Sequence, residues 1–192
     1  MKIKSISRSE RGRYVTLGID GAKGRFVITG ELYIELGSPE VGYELSEEEY
    51  ESVKDSDERY HATVRALNIL RFSDNSRRML WQKLKKKGFS TEVARATVED
   101  MVKLGYLDEK KQVENAVRRL ANDSLLGAFR IRLKLAYLGY HPNLVRAAIT
   151  ELSESGEVDF EKNFSRLVEK KCAGDIREER IAELKYKWGY ME

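Results

Sequence analysis

The side chains that most often carry enzyme chemistry are few and scattered in this chain. Its 192 residues include two histidines, His61 and His141, and a single cysteine, Cys172. The histidines are 80 residues apart, and neither a paired-histidine nor a paired-cysteine spacing is present, so the sequence predicts no metal site. Cys172 has no histidine near it in the sequence, and we expect a buried, unreactive thiol.

Phosphate-binding loops and acid–base pairs are also missing from the sequence. Gly18, Gly21, Gly24 and Gly30 lie on or between strand-like segments, and they form neither GxxxxGK nor GxGxxG. Hairpin turns explain them better. Carboxylates fall in first helical turns and on charged faces, and no pair stands against an apolar background. The sequence therefore predicts a protein that is not an enzyme and has no catalytic, cofactor-binding or metal-binding residues.

Cations are the chemical groups that remain to be explained. The net charge is only +3, but residues 61–150 carry 18 basic and 8 acidic residues, whereas residues 46–60 have a net charge of −5. Such asymmetry favours an anionic partner, either a nucleic acid or an acidic protein face. Solvated helix faces are the alternative, and a last helical turn would itself favour Lys85 to Lys87. The candidate partner-binding residues are Arg77, Arg78, Lys83, Lys86, Lys87, Arg118, Arg119, Arg130, Arg132 and Lys134.

A repeated helix ending positions these cations. Glycine followed by an aromatic residue occurs at Gly88-Phe89, Gly105-Tyr106, Gly139-Tyr140 and Gly189-Tyr190. Gly88 and Gly139 are 51 residues apart, and Gly139 and Gly189 are 50 apart, which indicates an internal repeat. The repeat predicts a mainly α fold of tandem three-helix repeats in an elongated, curved stack that offers its surface to a macromolecule. The aromatic residues at the helix ends are expected to pack rather than to stack on bases.

The repeats and their flanking segments give five predicted parts. The boundaries are 1–45 for a small β module, 46–58 for an acidic helical linker, 59–106 for three-helix repeat 1, 107–157 for three-helix repeat 2, and 158–192 for repeat 3, which has two helices and lacks the last. Ser46 and Glu49 form a capping box at the start of the linker helix. The other expected helix starts are Ser73 or Asp74, Ser90 or Thr91, Asp108, Asn122 to Ser124, Pro142, Asp159 and Asp175.

The β module is predicted to contain a small hairpin. Val15, Leu17 and Ile19 alternate with polar or small residues, Asp20-Gly21 forms a turn, and a second strand follows. Lys2 to Ser7 alternates as well, and residues 32–36 fit either a strand or a short helix. No apolar run is long enough to cross a membrane, and the N-terminus lacks the apolar region of a signal peptide. We therefore expect a soluble, cytoplasmic protein, which the lone cysteine also favours.

Six segments of the helical part share one family's pattern: Ala66-Leu67-x-x-Leu70, RFSDNSRRMLWQKLKKKGF (residues 71–89), LGYLDE (104–109), Val117-Arg118-Arg119, GAFRI (127–131) and Leu138-Gly139-Tyr140. They resemble the RecX family of recombinase regulators. That family shows a basic helix ending in KGF, a helix ending in GY and an acidic or amide residue, and then a G-x-x-R-I element, and this chain matches each in order and spacing. The N-terminal part resembles the hairpin, short helix and acidic linker of longer members, which favours a helix at residues 31–36. Lys111 to Glu114 depart from the aromatic and alanine that are usual there.

The resemblance implies a regulator of the RecA recombinase. Members' helical repeats lie in the groove of the RecA–single-stranded DNA filament, and they inhibit or modulate its recombinase, ATPase and co-protease activities. This implies a monomer without cofactors that acts in DNA recombination, repair and the SOS response, with DNA bound directly or through the filament. The residues alone leave open a second function, a nucleic-acid-binding helical module that acts without a recombinase.

Overall fold

The computed structural model describes residues 1–172 and 177–191. The protein is mainly helical, and a small antiparallel sheet precedes the helices in the chain. This confirms the predicted fold class, although the expected hairpin has a third strand. The strands are β1 (Ile3–Arg8), β2 (Tyr14–Ile19) and β3 (Arg25–Thr29). The helices are α1 (Gly30–Glu35), α2 (Glu47–Phe72), α3 (Arg77–Lys86), α4 (Thr91–Lys103), α5 (Glu109–Asn122), α6 (Ala128–Tyr137), α7 (Pro142–Glu154), α8 (Phe160–Cys172) and α9 (Glu178–Trp188).

The sheet has the strand order β1-β2-β3 and buries one face. Val15, Leu17 and Ile19 alternate toward a core that Ile28 completes, as the period of two predicts. Helix α2 covers the edge of β3: the Val27 N–H donates to Asp57 Oδ1 at 2.7 Å, and the Thr29 N–H donates to Ser56 Oγ at 3.3 Å. An edge strand would otherwise leave these groups unpaired, and such a small sheet needs a helix to be stable.

Residues 30–35 form a helix, which settles the choice between strand and helix. Thr29 caps it by accepting the Leu32 N–H at 3.2 Å. Gly30 is required at its start, because a Cβ there would lie 2.5 Å from the Gly12 carbonyl oxygen. Tyr33 is buried in the module, and its hydroxyl donates to the Pro39 carbonyl at 2.7 Å.

The acidic linker and the first helix of repeat 1 are one helix, α2, rather than two. Its start is the predicted capping box: the Glu49 N–H donates to Ser46 Oγ at 3.2 Å, and the Ser46 N–H donates to Glu49 Oε2 at 2.7 Å. No glycine or proline interrupts residues 47–72, so nothing ends the helix near residue 58. The chain also divides into two compact units, Met1–Arg71 with Lys83–Met101 and Phe72–Gln82 with Val102–Glu192.

Two of the predicted helix starts are wrong. Ser76, and not Ser73 or Asp74, caps α3 by accepting the Met79 N–H at 3.1 Å. Asn122 to Ser124 do end α5, but the N-cap of α6 is Gly127, which makes no side-chain cap. The starts that are confirmed are Ser90, Asp108, Pro142 and Asp159, whereas Asp175 lies outside the described residues.

The covered edge of β3 yields a stability prediction. Replacing Asp57 with alanine should lower the free energy of unfolding by about 1–3 kcal/mol, because the part-buried Val27 N–H loses its acceptor. Asp57→Asn keeps an acceptor oxygen and should recover most of this loss. Asp55→Ala, at an exposed position of the same helix, is the matched control in urea unfolding followed by circular dichroism. An equal loss in the control would contradict a specific role for the edge contact.

Candidate partner-binding surfaces

Helix ends of one repeat contact helix starts of the preceding repeat within the second unit. The Gly127 N–H donates to the Trp188 carbonyl at 2.8 Å, and the Phe129 N–H donates to the Gly189 carbonyl at 3.1 Å. The first N–H groups of any helix lack partners inside it, as do the last carbonyls. Here N–H groups at the start of α6 donate to carbonyls at the end of α9, so each helix end supplies hydrogen-bond partners to the other. We call this contact the α6–α9 junction.

A second junction joins the start of α3 to the end of α6. Ser76 Oγ donates to the Leu138 carbonyl at 2.6 Å. A Cβ on Gly139 would lie 2.8 Å from Ser76 Oγ and 3.1 Å from the Cβ of Arg78. Gly139 and Gly189 also have positive φ angles, 84° and 80°. The recurring glycine therefore ends a helix and also allows the neighbouring repeat to approach closely.

The tyrosines after these glycines are packing residues, as the sequence predicts. Tyr140 is buried, and its hydroxyl donates to Gln112 Oε1 at 3.0 Å. The Tyr190 hydroxyl donates to the Leu125 carbonyl at 3.0 Å. Burial raises the pKa of each tyrosine to about 12. Both hydroxyls therefore keep their protons, and can donate these hydrogen bonds, to a higher pH than an exposed tyrosine would.

The G-x-x-R-I element has a structural role at the α6–α9 junction. A Cβ on Gly127 would lie 2.2 Å from the Gly189 carbonyl oxygen, so only glycine fits there. The Arg130 Nε donates to the Lys187 carbonyl at 2.9 Å, and Ile131 is fully buried in the core of the second unit. Arg130 thus contributes to folding in addition to any contact with a partner.

Four further predicted cations interact within the chain. Arg118 Nε lies 2.6 Å from Glu157 Oε2, and this hydrogen bond lowers the pKa of the Glu157 carboxyl. Arg77 Nε lies 3.6 Å from Glu109 Oε2. The Arg132 guanidinium lies over the Phe129 ring, 5.8 Å from its centroid. Lys83 is half-buried and also has an intrachain interaction. These residues have intrachain roles that explain part of the basic charge.

The other five predicted cations are exposed. In the described ranges, their side chains make no hydrogen bond or ion pair with the rest of the chain. Lys85, by contrast, donates to the Phe89 carbonyl at 2.9 Å, so it closes α3. The exposed cations are Lys86 and Lys87 in the first unit and Arg78, Arg119 and Lys134 in the second.

Two of the predicted exposed cations, Lys87 and Lys134, line grooves. In the first unit, Lys87 and Phe89 line a groove with His61, Val64, Arg65 and Asn68 of α2, which we call the α2 groove. In the second unit, the α6–α9 groove is lined by Leu126, Arg130, Leu133, Lys134, Tyr137, Lys187 and Trp188. The sequence analysis did not select Arg65 or Lys187 as candidates. It did select Arg130 and Lys134, whose four-residue spacing places them on one helix face.

Metal-ligating side chains do not cluster in the part of the chain that the structure describes. Across residues 1–172 and 177–191, no three or more histidine, cysteine, aspartate or glutamate side chains lie together so that they could hold a metal ion. Cys172 is buried, as predicted. No described helix combines the length and the apolar character needed to cross a membrane.

Comparisons with known proteins point to one family. A family model described as the first three-helix domain of RecX matches residues 62–101. A regulatory protein RecX of Stenotrophomonas maltophilia strain K279a is 36% identical over 107 residues, which cover 56% of this chain and 63% of that protein. A regulatory protein RecX of Streptococcus uberis is 24% identical over 152 residues, which cover 79% of this chain and 57% of that protein. The chain therefore spans about three fifths of the length of these curated relatives.

A solved structure shares the fold. A crystal structure of a regulatory protein RecX superposes with a TM-score of 0.72 and covers 98% of this chain and 92% of its own. The two sequences are 18% identical, so this likeness concerns the fold alone.

The α6–α9 junction predicts a sharp dependence on Gly127. Gly127→Ala should lower the free energy of unfolding by about 1–3 kcal/mol, because the added methyl group overlaps the Gly189 carbonyl. The melting temperature should fall by about 2–4 °C for each kcal/mol. Gly24→Ala is the matched control, because a Cβ at Gly24 meets nothing within 4 Å. Equal melting temperatures for the two variants, measured by circular dichroism, would refute the close contact.

Proposed function

Because the chain belongs to the RecX family, we propose that it binds the RecA–single-stranded DNA filament and inhibits or modulates its recombinase, ATPase and co-protease activities. The observation that carries the proposal is that exposed cations project from successive helical repeats without intrachain partners. Lys86 and Lys87 lie at the end of α3 in the first repeat, and Arg119 and Lys134 lie in the second repeat. An anionic filament groove complements them.

Regulation of this kind needs no chemistry by the regulator. A protein that binds one state of a filament more tightly than another shifts the equilibrium between growth and disassembly. Contacts to several protomers add through effective concentration, so each can be weak. In this proposal the protein acts as a non-catalytic monomer in the cytoplasm, in DNA recombination, repair and the SOS response.

The α2 groove favours one alternative function, a helical module that binds nucleic acid on its own. Lys87 and Arg65 lie there beside the half-buried Phe89 ring. Cations next to an aromatic ring are typical of single-strand binding sites. Tight binding to single-stranded DNA without RecA, weakening steeply with salt, would support this alternative.

The RecA ATPase on single-stranded DNA provides the direct test. Wild-type protein should inhibit it when present at less than one chain per RecA protomer, since one chain would contact several protomers. No effect at saturating amounts, with tight DNA binding retained, would overturn the proposal in favour of the alternative.

The basic residues of the first unit can be tested in the same assay. Replacing Lys86 and Lys87 together with glutamate should raise the inhibitory concentration about tenfold, because exposed charge contacts contribute up to about 1 kcal/mol each. The matched control replaces Lys162 and Lys170, two exposed lysines of α8, and changes the net charge equally. Inhibition that survives the first pair, or falls equally with the control pair, would show that these lysines only solvate the helix.

A further inference from the structure

The α6–α9 groove has an apolar floor that includes side chains left out of the core of the second unit. Helix α6 buries Ile131 and Leu135 in the core of the second unit. Leu133 and Tyr137 lie on the opposite side of the helix and are 50% and 88% exposed. A helix at the surface of a globular protein normally carries one apolar stripe, whereas α6 carries two. The second stripe, together with Trp188 of α9, is available to a partner.

Cations surround this floor. Arg130 and Lys134 are four residues apart on α6, so they lie on one side of the groove, and Lys187 comes from α9. The hydrogen bond from Arg130 Nε to the Lys187 carbonyl holds that guanidinium at the rim. No acidic residue is among the groove's described lining residues. An occupant that complements the groove therefore has an apolar stripe flanked by negative charges.

We propose that the α6–α9 groove binds an acidic amphipathic helix of a protein partner. Helix-in-groove recognition places apolar anchors spaced three or four residues apart into a hydrophobic channel. Carboxylates four residues apart on such a helix match the spacing of Arg130 and Lys134. The inference rests on the proposed function only for the source of the helix, which would be a protein surface of the filament.

The floor favours a protein helix over a nucleic acid. Tyr137 and Trp188 offer rings on which a base could stack, but Leu126 and Leu133 also line the groove, and aliphatic side chains give a base no π surface. They do provide the apolar contact that leucine or phenylalanine anchors use. Single-stranded DNA is therefore the competing occupant, and the test distinguishes it.

Binding of three labelled probes to the full chain tests the proposal. The first probe is a designed helical peptide with a leucine stripe flanked by glutamates, the second has lysine in place of each glutamate, and the third is an oligothymidylate. The glutamate peptide should bind and the lysine peptide should not. Tyr137→Ala and Lys134→Glu should each weaken binding of the glutamate peptide about tenfold, as expected for a central aromatic anchor and a rim charge.

Matched controls separate the groove from general effects. Tyr186→Ala removes a 73% exposed tyrosine of α9 that does not line the groove, and Lys170→Glu reverses a lysine in the last turn of α8. Both control variants should bind the glutamate peptide as the wild type does. Because Tyr137 is 88% exposed, its loss leaves the core intact, and circular dichroism should show unchanged helix content.

The outcomes are decisive. Failure of the wild type to bind the glutamate peptide, or equal losses in the groove and control variants, would overturn the proposal. A Tyr137→Ala variant that loses only oligothymidylate binding would assign the groove to nucleic acid instead. Peptide binding in a protein that leaves the RecA ATPase unchanged would retain the groove and refute the proposed function. ATPase inhibition that Tyr137→Ala leaves intact, with no binding of the glutamate peptide to the wild type, would retain the proposed function and refute the groove.

Discussion

Backbone contacts between helix ends organise the second unit. At the α6–α9 junction, the Gly127 and Phe129 N–H groups donate to the last carbonyls of α9. The start of a helix carries partial positive charge and its end partial negative charge, so this arrangement satisfies both sets of unpaired groups and aligns their dipoles favourably. It requires glycine on both sides, because a Cβ on Gly127 or Gly189 would overlap the opposing backbone. Gly139 and Gly189, 50 residues apart, each end a helix that meets the start of a helix in the preceding repeat.

The junction also shapes the candidate surface. Arg130 belongs to it through the bond to the Lys187 carbonyl, and Trp188 supplies a carbonyl to the Gly127 N–H while its side chain lines the α6–α9 groove. Residues that hold the repeats together therefore position residues that remain available to a partner. Groove and fold share the same elements, so loss of Gly127 should disturb both, whereas loss of the exposed Tyr137 should disturb only the groove.

Local patterns predicted much of the fold. The glycine–aromatic endings gave the repeat, and Ser90, Asp108 and Asp159 are the caps that their positions predict. The break between linker and repeat 1 was wrong because an acidic first turn and a later apolar stripe can belong to one helix. The cap at Ser76 was missed because Ser73, Asp74, Asn75 and Ser76 are all N-cap residue types, so the local sequence does not choose among them. The tertiary structure favours Ser76, whose hydroxyl also donates to the Leu138 carbonyl, 62 residues away.

The candidate surfaces were less predictable, since the local sequence does not show which cations are already paired. Arg77 meets Glu109 and Arg118 meets Glu157, at separations of 32 and 39 residues. Lys187 was not predicted to lie beside Arg130, because the two residues come from different repeats and only the tertiary structure brings them together. Among the three cations of the α6–α9 groove, helical spacing alone could group only Arg130 with Lys134. Distinguishing a structural cation from an available one required the tertiary contacts.

The most direct test of the account is co-sedimentation of the chain with RecA filaments assembled on single-stranded DNA, with the DNA alone and free RecA in parallel. We expect the chain to pellet with the filament, to saturate at fewer chains than RecA protomers, and to bind either component alone much more weakly. Binding to bare DNA as tight as to the filament, or no co-sedimentation with the filament, would contradict the proposal that these basic helical repeats act on a recombinase filament.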